Sequence, residues 1–147
     1  MAYYVDTSAF LKIVVAEEHS EALHGWVAQH DRELFASDLL TAEALRTARR
    51  HSTRALFEAR RRLDVLTILR LGPDVFERAA ELDPAILRTL DALHLAAALA
   101  AGDELEGIVT YDQRLADAAE RHGVATVAPT APQGTESDRP APADDQR

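Results

Sequence analysis

No cysteine occurs among the 147 residues, which excludes disulfides, thiolate metal sites and a cysteine nucleophile. Aromatic residues make up only 5%, too few for a row of rings on which single-stranded nucleic acid would stack. Lysine is nearly missing: Lys12 stands alone and the other 15 basic residues are Arg. That skew suits bidentate phosphate contacts, and genomic base composition can also produce it. Long apolar runs are absent too. The longest, Leu93 to Ala101, contains His94 and falls far short of the about 20 residues that span a bilayer. The first residues enter a strand-like run directly, without the basic segment and apolar stretch of a secretory signal. A soluble, cytoplasmic protein with no membrane partner is the expectation. The six histidines form no HxxxH or HExxH pattern, which argues against a dedicated zinc site.

What is present fits one globular domain. Apolar residues reach 47%, and the length suffices for a real core. Ala2 to Val5 reads as a short buried strand ending at Asp6, with Thr7 or Ser8 capping a helix to about Ala16. A helix over 19–30 places Leu23, Trp26 and Val27 on one face. Glu33 to Ala36 reads as a second strand, followed by a helix that Ser37 or Asp38 caps and that runs to His51. Thr53 to Leu63 is its helical partner, and the alternation from Val65 to Leu71 predicts a third strand. Pro73 opens a helix at its favoured first position, ending near Asp83. Thr89 is expected to cap a helix over 90–101 that Gly102 stops. Ile108 to Thr110 is a strand, Asp112 to His122 a helix, and Val124 to Ala128 the last strand. Strands alternating with helices of about 10–15 residues predict a parallel α/β sheet.

From Pro129 onward the composition changes. The stretch to Arg147 has four prolines and no Ile, Leu, Val, Met or aromatic residue, and it cannot bury enough apolar surface to offset its ordering entropy. The expected division is a folded domain over 1–129 and a disordered, acidic, Pro-rich tail over 130–147 that the chemistry does not need.

Four acidic residues, Asp6, Glu43, Asp91 and Asp112, lie far apart but each sits where a strand ends or a helix begins. Ligands of an open parallel sheet bind beyond the carboxyl ends of its strands, and all four positions can reach that end. Carboxylates gathered without a cation repel one another; with Mg²⁺ or Mn²⁺ they form a site for cutting phosphodiesters. Such a site also reconciles the formal charge of −9 with a nucleic-acid substrate, because the ions neutralise the place where phosphate lands. Taken singly, each residue has a structural reading. Asp91 in a first helical turn suits the macrodipole, Asp112 and Asp6 can cap helices, and Glu43 is a good helix former.

The strings Asp6-Thr7-Ser8-Ala9, Leu90-Asp91-Ala92-Leu93-His94-Leu95-Ala96 and Thr110-Tyr111-Asp112-Gln113-Arg114-Leu115, with Glu43 in a helix between them, resemble the PIN-domain ribonucleases. More narrowly they resemble the VapC-type toxins of bacterial toxin–antitoxin pairs, from about Met1 to Pro129. The resemblance implies a three-layer α/β/α fold with a central parallel sheet. It also implies a Mg²⁺- or Mn²⁺-dependent endoribonuclease, commonly a homodimer, silenced by a cognate antitoxin and leaving 5′-phosphate and 3′-hydroxyl ends. Asp6, Glu43, Asp91 and Asp112 match the family's acidic quartet, and Thr7 and Thr110 match hydroxyl positions near the metal. Asp6 and Asp91, or Asp112, are expected to hold the principal ion.

Other residues divide between roles. Seven arginines fall between Arg46 and Arg62, with Glu43, Arg46 and Arg50 on one helical stripe that either guides an RNA backbone or is a solvated face. Arg88 and Arg114 neighbour acidic motifs and are candidates for substrate contact. His94 reads as a histidine packed under its helix, with proton shuttling as the alternative. A phospho-accepting receiver domain would need a paired acid near the first strand and a late Lys, and this chain has neither. A non-catalytic binding module of the same fold and a metal-dependent phosphatase are the other rivals.

Overall fold

Tyr4 and Val5 are 0% and 2% exposed, although successive strand residues point to opposite faces of a sheet. A strand covered on both faces belongs in the middle of a parallel sheet. The computed structural model, which describes residues 1–132, puts it there. The elements in chain order are β1 (Ala2–Val5), α1 (Thr7–Val14), α2 (Ser20–His30), β2 (Leu34–Ser37), α3 (Asp38–His51) and α4 (Thr53–Leu63). They continue with β3 (Thr67–Leu69), α5 (Pro73–Glu81), α6 (Thr89–Leu99), β4 (Leu105–Val109), α7 (Gln113–Arg121) and β5 (Thr126–Val127). The sheet order is β3-β2-β1-β4-β5 and every pairing is parallel. The expected three-layer α/β/α architecture is therefore the observed one.

The period-2 alternation of β1 and β4 sorts the interior into two cores. Tyr4 and Ile108 face one way and pack with Leu95 of α6 and Leu115 of α7. Val5 and Val109 face the other and pack with Phe10, Leu23 and Leu40 from α1, α2 and α3. Each such side chain, fully buried, contributes about 1.5–3 kcal/mol. On β4, Gly107 is required by space, since a Cβ there would stand 2.9 Å from the Ala125 carbonyl just before the last strand. Phe57 is exposed on α4.

Several boundaries differ from expectation, for physical reasons. Asp6, not Thr7 or Ser8, is the N-cap of α1, accepting from the Ala9 N–H. The Ser37 hydroxyl is turned into the core toward Tyr4 and caps nothing. Thr89 already lies inside α6, whose N-cap residue Arg88 makes no side-chain cap bond. The third strand shrinks to Thr67–Leu69 because only these residues find register against Phe35 to Ser37. Among the described residues no helix is long and apolar enough to cross a membrane. The tail expected over 130–147 lies outside the described residues except for 130–132.

Strand order reverses at β1, which has β2 on one side and β4 on the other. In an open parallel sheet that reversal opens a crevice beyond the carboxyl ends of the strands. Asp6 follows β1 directly, and Thr110 to Asp112 follow β4.

Candidate active site

A cleft of about 380 Å³ lies at this reversal, and Asp6, Glu43, Asp91 and Asp112 all line it. Thr7, Arg88 and His94 line it as well. Four elements separated by long stretches of sequence thus bring their carboxylates to one opening.

Asp6 is 4% exposed and fully engaged. Its Oδ1 accepts from the Ala9 N–H at 2.9 Å and the Ser8 hydroxyl at 2.7 Å, and its Oδ2 from the Thr110 hydroxyl at 2.6 Å. Burial pushes its carboxyl above the usual range, while the bonds from Thr110, Ala9 and Ser8 and the nearby His94 pull it back in part. The two hydroxyls are themselves fixed from behind. Ser8 Oγ accepts from the Tyr111 N–H at 2.9 Å, and Thr110 Oγ1 from the Asp112 N–H at 3.0 Å. The start of α1 and the end of β4 are therefore tied together through this one carboxylate.

Glu43 sits a turn and a half into α3 and is partly exposed. Its Oε1 takes two hydrogen bonds, from Thr7 Oγ1 at 3.0 Å and from His94 Nε2 at 2.6 Å. Burial raises the Glu43 carboxyl, but the hydrogen bond and charge of His94, with Thr7, outweigh it and leave it below its ordinary value. His94 is buried as expected, yet it is more than packing: Nδ1 lies 2.8 Å from the Tyr4 hydroxyl. Sequence reasoning left His94 and Tyr4 outside the site. The one available signal was a polar atom on each of two apolar segments, which demands a partner when buried.

Asp91 and Asp112 share a cation. Arg88 reaches Asp91 Oδ2 at 3.2 Å and Asp112 Oδ2 at 3.7 Å, with its side chain 60% exposed. Asp112 Oδ1 meanwhile caps α7 through the N–H groups of Arg114 and Leu115. The capping reading of Asp112 and its place at the cleft hold together, because each uses a different oxygen. Of the two expected substrate-contact arginines, Arg88 lines the cleft and Arg114 does not. Thr7 borders the cleft, whereas Thr110 stands behind Asp6 at 2% exposure.

No three Asp, Glu or His groups among the described residues stand close enough to form a finished metal cage. The donor chemistry nevertheless fits a hard divalent ion. The donors are oxygens, and Glu43 Oε2 and Asp91 Oδ1 accept no hydrogen bond from any described residue. Mg²⁺ binds through one or two carboxylates and keeps several waters. Six waters at about 30 Å³ each occupy roughly 180 Å³, well within the 380 Å³ of the cleft.

Two other features bear on function. Arg46, Arg49 and Arg50 on α3 are exposed, border a cleft of about 320 Å³ and make no ion pair with a described residue. Arg61 and Arg62 share one carboxylate, Glu58, at 3.2 and 2.8 Å. A larger cleft of about 840 Å³ between α1, α2 and α4 gathers no carboxylate but that same Glu58.

A sheet of this order carrying acidic residues at its reversal defines a class of α/β proteins with a carboxylate-lined cleft. The chain belongs to the PIN domain family, whose model matches residues 3–121. It is 40% identical over 130 residues to Ribonuclease VapC46 of Mycobacterium tuberculosis, covering 88% of this chain and 98% of that protein. To Ribonuclease VapC47 of the same species it is 37% identical over 132 residues, covering 87% and 97%. Among solved structures, Mycobacterium tuberculosis VapC20, described as a Sarcin-Ricin loop cleaving toxin, superposes with a TM-score of 0.69 at 18% identity, covering 87% of this chain and all of that one. VapBC2 from Rickettsia felis, bound to a DNA fragment from its promoter, gives 0.64 at 16% identity, covering 86% and 98%. At those identities the two structures speak for the fold alone.

Proposed function

We propose that the chain is a divalent-metal-dependent endoribonuclease acting as the toxin of a toxin–antitoxin pair. The observation that carries this reading is the convergence of Asp6, Glu43, Asp91 and Asp112 on one cleft, with Arg88 and His94 the only basic side chains set against them among the described residues. The ribonuclease names of its relatives support it. Asp6, Asp91 and Asp112 are the residues that would hold Mg²⁺ or Mn²⁺, with Glu43 beside them. Bound there, the ion would neutralise phosphate charge and make water more acidic.

The remaining roles belong to the chain. Ser8 and Thr110 fix both oxygens of Asp6, so its carboxylate would meet the ion in one orientation. Thr7 holds Oε1 of Glu43, leaving Oε2 to orient or accept a proton from the attacking water. Arg88, mostly exposed between Asp91 and Asp112, is free to turn to a phosphate oxygen. Arg46 and Arg50 continue from Glu43 along α3 and offer phosphate contacts beyond the scissile one. A cognate antitoxin and a homodimer complete the reading, the latter supported by exposed Phe76, Ile86 and Leu90 around α5 and α6.

The test is cleavage of end-labelled total RNA by purified wild type and Asp6→Ala with Mg²⁺, Mn²⁺ or EDTA. Discrete fragments from wild type alone, lost in EDTA, are expected. Identical fragments from both proteins, or none from folded wild type with either metal, would overturn the reading.

A further inference from the structure

A chain of buried hydrogen bonds runs from the middle of the sheet to Glu43. Ser37 Oγ lies 2.9 Å from the Tyr4 hydroxyl, that hydroxyl 2.8 Å from His94 Nδ1, and His94 Nε2 2.6 Å from Glu43 Oε1. Ser37 and Tyr4 are 0% exposed and His94 4%, so water does not compete for these bonds. Ser37 ends β2 just before α3, so the chain starts at the β2–α3 junction, passes through β1 and α6, and ends at Glu43 on α3.

The directions of the bonds follow from chemistry. An ionised Glu43 can only accept, so Nε2 of His94 carries the hydrogen. The bond at the far nitrogen then sets the ring, and Tyr4 supplies it. A glutamate on a helix has three side-chain torsions and loses rotamer freedom when fixed. Here Thr7 and His94 both engage Oε1, which selects one rotamer and leaves Oε2 without a bond to any described residue. The Ser37 hydroxyl gives up its capping position at the head of α3 to close the chain.

We infer that His94, oriented by Tyr4 and Ser37, is a positioning residue that presents Glu43 Oε2 to the metal and water of the cleft. The inference rests on the nuclease reading above and deepens it. Both ring nitrogens of His94 are taken, Nδ1 by Tyr4 and Nε2 by Glu43, so it acts through Glu43.

Three measurements on the full chain test it. In ¹⁵N-histidine spectra of the metal-free protein, Nε2 of His94 should carry a hydrogen in wild type and in Tyr4→Phe alike, and Tyr4→Phe should shift the Nδ1 signal, whose hydrogen bond it removes. His94→Leu should weaken Mn²⁺ binding to the RNA-free protein and lower kcat, each by about 10- to 100-fold as for groups that orient metal ligands, with KM little changed. His94→Gln, whose amide can still donate to Glu43, should recover part of both. In a Glu43→Gln background, His94→Leu should have no further effect on either. A wild-type His94 whose Nε2 bears no hydrogen would overturn the inference, as would a folded His94→Leu protein with wild-type Mn²⁺ affinity and kcat. Full additivity with Glu43→Gln would overturn it too. Wild type that neither binds Mn²⁺ nor cuts RNA would defeat the nuclease reading and the inference with it. An active wild type failing any of the other arms defeats the inference alone.

Discussion

Replacing Thr110 by Val probes the tie between β1 and β4 at the cleft. The change keeps the shape and the β-branch and removes one oxygen. That oxygen donates to Asp6 Oδ2 at 2.6 Å and accepts from the Asp112 N–H at 3.0 Å, at a residue 2% exposed. A bond onto a charged acceptor is worth about 1.5–3 kcal/mol, and an orphaned N–H costs about 1–3. The Asp112 N–H lies close to the cleft mouth and can turn partly to water, so the expected loss is about 2–4 kcal/mol. For a domain of this length that lowers the midpoint of thermal unfolding by roughly 6–16 °C.

The loss should also depend on pH. Burial raises the Asp6 carboxyl in the folded protein, and the Thr110 bond is the strongest of the interactions pulling it back. The unfolded value is about 3.9, so within the window above it the folded state binds more protons than the unfolded one. Stability attributable to Asp6 is then fullest at low pH and falls as pH rises from the unfolded to the folded pKa. Thr110→Val raises the folded pKa further and extends that window upward. The stability gap between wild type and variant should therefore widen with pH through the window and then level off. Urea unfolding followed by circular dichroism in EDTA, at a series of pH values, measures it. A gap under about 0.5 kcal/mol, the size of an ordinary surface change, or a gap that narrows as pH rises, would refute the argument.

Arg88→Gln should tighten Mn²⁺ binding to the RNA-free protein by no more than a few-fold, since exposed ion pairs are worth about 0.2–1 kcal/mol; titration calorimetry decides, and weaker binding of the ion would contradict the competition. The same variant should bind RNA less well, with a shallower salt dependence in fluorescence anisotropy. Gly107→Ala drives a Cβ to 2.9 Å from the Ala125 carbonyl and should cost about 1–3 kcal/mol by overpacking, read as a lowered urea midpoint. Mg²⁺ at 100 times its dissociation constant should stabilise wild type by about 2.7 kcal/mol and Asp91→Asn by clearly less, as thermal melts with Mg²⁺ and with EDTA will reveal.

The elements were legible because strands and helices here keep their periods and their punctuation. Pro73 opens α5 where a helix-starting proline belongs, and Gly123, with a φ of 72°, ends α7 as a glycine stop should. The positions of Asp6 and Asp112 followed from strand ends alone. Caps were less readable, because Asp6, Thr7 and Ser8 are all good N-cap types and only the demand of Thr110, 104 residues away, decides which one turns inward. Ser37 misled for the same reason: its partner Tyr4 is on another strand, 33 residues earlier. His94 could be placed in the core from its apolar neighbours, but the bond to Glu43 joins residues 51 apart and leaves no local trace. Register in sequence reveals which face a residue takes and not which polar atom waits there.

Asp6 is synthesised 104 residues before the hydroxyl that holds its Oδ2. Tyr4 likewise precedes its histidine by 90. Contacts of such separation form late, after the loop-closure entropy of nearly the whole domain has been overcome. The emerging polypeptide consequently carries scattered carboxylates and no centre, and the centre comes into being in a single late event when β4 slides in beside β1. That order of assembly acts as a clock: the carboxylate cleft stays open-ended until Thr110 has been made and β4 has paired with β1.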